Sequence, residues 1–182
     1  MIGSPKPLSR HVNRVFLMLL ALATPALSGC FGYQLGSANG LAAHGRSVQI
    51  SPFQNKTIEP HLTDAVTMEL REALQNDGTY TLASHDDGDI IVSGEILRYT
   101  RLELAFTPQD VFTVSDYRLG IIAHVTARER ITGRIIFDKP AVMGYTLMRV
   151  GSDLPESERQ ALPLLARDLA KNVTALLVEG SW

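Results

Sequence analysis

Cysteine is nearly missing from this 182-residue chain. There is one, Cys30, so no disulfide can close within the chain and a disulfide-stapled scaffold is excluded. A surplus of positive charge is missing too. Seventeen Lys and Arg stand against nineteen Asp and Glu, for a net charge of −2, and such a chain is not drawn to nucleic acid by bulk attraction to phosphate. No apolar run reaches the ~20 residues that a helix needs to span a hydrocarbon core. The longest, Val15 to Leu27, has about 13 and is interrupted by Thr24 and Pro25. Repeats and low-complexity tracts are absent as well. What remains is 45% hydrophobic and 20% charged, a balance that supports one folded domain with a real core and argues against a disordered chain.

Catalytic constellations are also lacking. His44, His61, His85 and His124 are scattered, without the His-x-x-x-His spacing that would put two imidazoles on one helix face. No nucleophile-elbow pattern surrounds a Ser. Asp86-Asp87-x-Asp89 has the beginning of a cation loop but not its remaining ligands, and reads as a solvated turn. Asn55-Lys56-Thr57 and Asn172-Val173-Thr174 match the three-residue glycosylation sequon, a pattern too short to carry a function by itself. The expectation is a protein without catalytic residues, metal or cofactor.

The amino terminus departs from the rest. Its first 29 residues hold Lys6, Arg10 and Arg14 and no acid; without them fourteen basic residues face nineteen acidic ones, a net charge of about −5. A basic start followed by a short apolar stretch is the pattern of a secretory signal peptide, here 1–29. It ends in Leu27-Ser28-Gly29-Cys30, which resembles the bacterial lipobox. There a thiol is the nucleophile that takes a diacylglyceryl group, and small residues before it fit the peptidase. The resemblance implies cleavage before Cys30 and acylation of its new amino terminus. Several acyl chains, at about 0.8 kcal/mol per buried CH₂, anchor a domain stably where one does not. Phe31 follows Cys30 where Asp would favour retention in the inner membrane, so the expected location is the periplasmic leaflet of the outer membrane. Residues 30–45, rich in small residues such as Gly32, Gly36, Ser37 and Gly40, read as a lipidated flexible tether.

Beyond the tether the hydrophobic periodicity changes several times. Arg46 to Phe53 alternates, with Val48 and Ile50 inward, as a half-buried strand does. From Pro60 to Asn76, Leu62, Ala65, Val66, Leu70, Ala73 and Leu74 recur at steps of three and four, predicting a helix that stops at Asn76-Asp77-Gly78. Thr79 to Ala83 reads as a short strand. Asp89 to Leu104 is extended, with Ile90, Val92 and Ile96 on one face, and Thr107-Pro108-Gln109-Asp110 breaks it. Thr113 to Glu129 alternates most clearly, with Tyr117, Leu119, Ile121, Ala123 and Val125 on one face. After a turn at Thr132-Gly133, the return strand places Ile135, Phe137, Met143, Tyr145 and Leu147 on one face, with a bulge or an edge at Pro140. A helix follows Gly151. Asp153 and Glu156 suggest a capping box, Leu162, Leu165, Leu169, Val173, Leu176 and Leu177 form a stripe, and the main helix is expected to begin at or just before Pro163. The expected fold is α+β. It is a two-layer sandwich in which a mixed, mostly antiparallel sheet of about four strands carries both helices on one face.

The segment Val48-Gln-Ile-Ser-Pro-Phe-Gln-Asn-Lys-Thr-Ile-Glu-Pro60, followed by Leu62-Thr63 and Glu69-Leu70, resembles the lipopolysaccharide-assembly lipoprotein family, LptE. So do Cys30-Phe31-Gly32-Tyr33-Gln34-Leu35, with one extra Phe, Asp116-Tyr117-Arg118-Leu119 opening a strand, Thr132-Gly133 at the hairpin, and a terminal helix holding Ala161-Leu162 and ending near Trp182. The resemblance covers nearly all of the chain after the signal peptide, with 46–182 as the folded domain. It implies a non-enzymatic outer-membrane lipoprotein whose domain sits within a partner barrel, LptD, and helps insert lipopolysaccharide into the outer leaflet. A polar, wet barrel lumen suits a compact plug without a greasy exterior.

Within that expectation, arginines are the candidates for contact with the phosphates of lipopolysaccharide or with the barrel, because a guanidinium binds phosphate bidentately at any working pH. They are Arg98 and Arg101, in the cluster Arg98-Tyr99-Thr100-Arg101, with Arg118 at a strand start and Arg134 beside the hairpin turn. The alternative for all four is a solvated strand face. The alternative function is an outer-membrane lipoprotein that activates a periplasmic peptidoglycan synthase. A lipoprotein hydrolase is a weaker third, for want of a nucleophile constellation.

Overall fold

The computed structural model describes residues 45–179. Cys30, the signal peptide, the tether up to residue 44 and Trp182 lie outside the described residues. The elements are β1 (Ser47–Ile50), β2 (Gln54–Asn55), α1 (Leu62–Asp77), β3 (Thr81–Leu82), β4 (Ile90–Thr107), β5 (Asp110–Glu129), β6 (Ile135–Arg149) and α2 (Leu154–Glu179). The sheet order is β3-β1-β4-β5-β6, with β2 paired to β4. Strand β1 runs parallel to β3 and β4, β2 is parallel to β4, and β4, β5 and β6 are antiparallel. This is the expected mixed, mostly antiparallel sheet under two helices. It has six strands rather than about four: β3 falls within the short strand read at Thr79 to Ala83, whereas the two-residue β2 is too short to show a period of its own. Asp116-Tyr117-Arg118-Leu119 lies inside β5 rather than opening a strand.

One core joins the layers. Val48, Ile90, Val92, Ile96, Leu119, Ile121, Ala123 and Val125 of the sheet meet Leu62, Val66, Leu70 and Leu74 of α1 and Leu162, Leu165, Leu169 and Val173 of α2. Each large aliphatic side chain removed from water there is worth about 1.5–3 kcal/mol. The alternation read in β4 and β5 therefore survives intact where helices cover it. Between Val92 and Ile96 the inward position is Gly94, and the Phe53 ring fills the space: a Cβ on Gly94 would lie 2.4 Å from Phe53 Cε1. Phe53 is thus a core plug, while Pro52 before it stays exposed. The adjoining Asn55 ties its loop, with Oδ1 accepting from the Thr57 N–H at 2.9 Å.

Helix ends depart from the reading in two places. Helix α1 stops where expected, Gly78 taking φ 73° and returning its N–H to the Leu74 carbonyl. Helix α2 starts at Leu154 and runs through Pro163, not from it. Pro163 falls on the exposed side, where a carbonyl that loses its helical partner can be hydrated. Asp153 does precede the helix, and its carbonyl accepts from the Ser157 N–H and Oγ. Glu156, however, turns outward to Arg159 and Gln160 instead of closing a capping box. Between the helices, Arg167 Nε donates to the buried Glu69 at 2.9 Å.

Strand β6 corrects the sequence reading most. It is both an edge strand and a bulged one. His124 and Thr126 of β5, two residues apart, pair with Ala141 and Asp138, three apart. The extra residue lies at Lys139-Pro140, and Lys139 adopts φ 53°. A second shift, between Ala127 and Arg128, places Ile135 and Phe137 on opposite faces. One inserted residue reverses the facing of everything beyond it. Val142 and Met148 consequently enter the core, while Met143, Tyr145 and Leu147, expected to share a face with Phe137, project from the other side of the sheet.

Candidate functional site

The helices leave one face of the sheet open. Cross-strand register defines what stands on it. Arg118 of β5 lies between Leu102 of β4 and Leu147 of β6; Gly120 lies between Thr100 and Tyr145; Ile122 lies between Arg98 and Met143. The reversal in β6 supplies an apolar floor here, with Leu147 68% exposed, Leu102 57% and Tyr145 51%. Gly120 is what lets the Tyr145 ring lie across the middle strand. A Cβ there would come within 2.7 Å of Thr100 Oγ1 and 3.3 Å of the ring. The result is a shallow depression of about 360 Å³ lined by Arg118, Tyr145, Thr146 and Leu147.

The four candidate arginines divide between two environments. Arg98 and Arg118 stand on this open face, at opposite ends of the stretch centred on Thr100 and Gly120, and neither has an ion-pair partner among the described residues. The other two are engaged elsewhere. Arg101 points to the helix side, where Nη1 meets Glu158 Oε2 at 2.8 Å and the guanidinium lies 5.4 Å from the Tyr117 ring centroid. Glu158 also accepts from the Tyr99 hydroxyl. Burial first, and then this carboxylate, push Tyr99 well above the usual phenol range. Arg134 sits at the β5–β6 turn and pairs with Glu129, which also takes Arg46 at 3.2 Å and the Thr132 hydroxyl at 2.7 Å. The Arg134 hydrogen bond, followed by that of Thr132, holds the Glu129 carboxyl down at about 2.

At the margin of the face, Arg149 Nε donates to Asp116 Oδ1 at 2.9 Å. Ser115 and, after it, this arginine keep the Asp116 carboxyl below its ordinary value. The polar residues that suggested a cation loop have structural work. Asp89 Oδ2 accepts from the Ser47 N–H and Oγ, both at 2.9 Å, and Asp86 Oδ1 accepts from Gln49 Nε2 at 2.8 Å. Both tie β1 to the loop before β4. No group of His, Cys, Asp or Glu among the described residues could hold a metal ion.

Sequence reasoning missed Met143, Tyr145 and Leu147 as members of this face. The available signal was Pro140, which predicts a bulge or an edge: a bulge moves every later residue of the strand to the opposite face.

The fold and the open face define a two-layer α+β domain with a basic and apolar sheet surface. A family model described as lipopolysaccharide-assembly, LptE, matches residues 45–177. The chain belongs to the LptE family, whose members are non-enzymatic lipopolysaccharide-assembly lipoproteins. A comparison with curated proteins found no significant match. Among solved structures, a hypothetical protein from Chlamydia trachomatis is similar, with 11% identity and a TM-score of 0.52 over 72% of this chain and 95% of that one. A protein from Xanthomonas campestris has 9% identity and a TM-score of 0.53 over 74% of this chain and 85% of the other. At these identities the likeness is one of fold.

Proposed function

We propose that this chain is an outer-membrane lipoprotein, anchored by acyl chains on Cys30 after removal of 1–29. Residues 30–45 tether the domain at the periplasmic leaflet. The domain seats in and assists assembly of an LptD-type barrel, and its open sheet face meets lipopolysaccharide. The observation that carries the last step is the pairing of two free guanidinium groups, Arg98 and Arg118, with the apolar floor of Ile122, Met143, Tyr145 and Leu147. An amphiphile bearing phosphates and acyl chains needs both kinds of surface. Charge-assisted hydrogen bonds supply about 1.5–3 kcal/mol each, and the floor supplies apolar contact area. Arg101 and Arg134 serve the fold in this reading, since their carboxylate partners already occupy them.

The test is a photocrosslinking residue at position 98 or 118 of the full chain in intact cells, together with lipopolysaccharide binding by the Arg98→Glu/Arg118→Glu variant. Crosslinks to lipopolysaccharide, with binding at least tenfold weaker in a variant of unchanged melting temperature, are expected. Unchanged binding removes the site. Detergent co-purification tests the partner: a large β-barrel is expected, whereas a penicillin-binding protein in its place favours the synthase-activator alternative.

A further inference from the structure

Strand β6 closes one side of the sheet, and among the described residues no strand lies beyond it. A 15-residue edge with exposed Met143, Tyr145 and Leu147 on its open face is the kind of edge to which another strand adds. Its centre is nevertheless occupied. The Tyr145 N–H donates to Asp168 Oδ2 at 2.8 Å, and the Met143 carbonyl accepts from Asn172 Nδ2 at 2.8 Å. Both groups point away from β5, and both partners come from one side of α2, four residues apart.

The Tyr145 N–H and the Met143 carbonyl, flanking Gly144, are outward groups that an added strand of either direction would have to take. The helix reaches them because residue 144 has no side chain. A Cβ on Gly144 would lie 2.7 Å from the Leu169 backbone nitrogen and 2.9 Å from Leu169 Cβ. Three features thus act together: a glycine that admits the helix backbone, an acceptor and a donor.

We propose that Asp168 and Asn172 form a stop on the β6 edge that prevents a second copy of this chain from pairing there. The excluded occupant is another β6. Around a two-fold axis, its edge would present the same unpaired groups and would continue the Met143, Tyr145 and Leu147 surface into one larger apolar face. The stop works by filling the central hydrogen-bonding positions. A strand can then add only by first breaking two bonds that water alone would replace.

The test is sedimentation equilibrium of the full chain in density-matched detergent. The wild type is expected to be monomeric, and Asp168→Ala/Asn172→Ala to form a dimer whose population rises with protein concentration. A folded double variant that stays monomeric at tenfold higher concentration overturns the proposal. If the double variant does not fold, amide exchange in the single variants decides. Asp168→Ala should speed exchange at Tyr145 at least tenfold and leave Ile121 unchanged. Asp168→Asn, which keeps an acceptor oxygen, should restore protection. Uniform acceleration, or none, identifies a brace for the whole fold or an unimportant contact, and either overturns an edge-specific role.

Discussion

The two halves of the β4–β5 hairpin are built from the same strands yet live in different surroundings. Over Ile90–Ile96 and Leu119–Ala127 the inward aliphatic side chains are fully buried under the helices. Over Leu102–Asp116 the same strands carry Leu102, Leu104, Phe106 and Phe112 into solvent, Phe112 at 91% exposure. Glu158 of α2 marks the change, taking Tyr99 and Arg101 as the helix's last hydrogen bonds to β4. Alternation thus specifies which side chains share a face, but burial requires an element to cover that face. A two-stranded ribbon alone is only marginally stable, and this one is held because it continues a larger sheet. Its charges are Glu103, Asp110 and Asp116, without a Lys or Arg between Leu102 and Asp116, whereas free arginines gather lower on the open face. The two regions therefore suit different neighbours.

Substitutions on either side of that boundary should differ sharply. Leu169→Asp places an uncompensated charge in the covered core and should cost about 4 kcal/mol or more, enough to abolish cooperative unfolding. A sigmoidal melt near the wild-type temperature would break the comparison. Gly144→Val, at the closest approach of α2 to the sheet, should cost about 1–3 kcal/mol by overpacking, read as a lower denaturant midpoint at unchanged slope.

Glu129 tests electrostatics at the covered end. Its folded carboxyl titrates at about 2 and its ordinary value is 4.5, so its contribution is full above 4.5 and is lost as the pH falls toward 2. Glu129→Gln should therefore melt below the wild type at neutral pH, and the two curves should converge between those values. A gap that stays constant down to pH 2 would show that the charge is not the cause. Phe112→Ser in the ribbon should have the smallest effect, within about 0.5 kcal/mol; a larger loss would mean that something covers the ribbon.

Much of this architecture was legible before the structure. The stripe on α1, the inward set of β5 and the stop at Gly78 follow from local periodicity and from glycine's tolerance of positive φ, and each is where it was read. The failures share a cause. Strand β2 exists through pairing with β4, not through a pattern of its own. Pro163 looked like a helix start because its lost hydrogen bond is costly in a buried turn; here it faces solvent. Phe137 was read onto the face of Met143, Tyr145 and Leu147, and lies on the other, because a bulge adds one residue and strand facing has a period of two.

The candidate site was legible only in part. All four arginines could be named, but which of them were free could not, since Arg101 and Arg134 are claimed by Glu158 and Glu129. Only Glu129 is near its arginine in the chain, and Glu158 arrives on another element.

By itself, then, the order of residues determined the element types, the inward faces of β4, β5 and α1, and the family pattern across the domain, because these depend on periods of two and 3.6 and on short motifs. Tertiary structure alone decided which side of β6 faces water, which arginines remain unpaired and where the helical cover ends. Those outcomes depend on register and on groups that meet only when distant segments pack together.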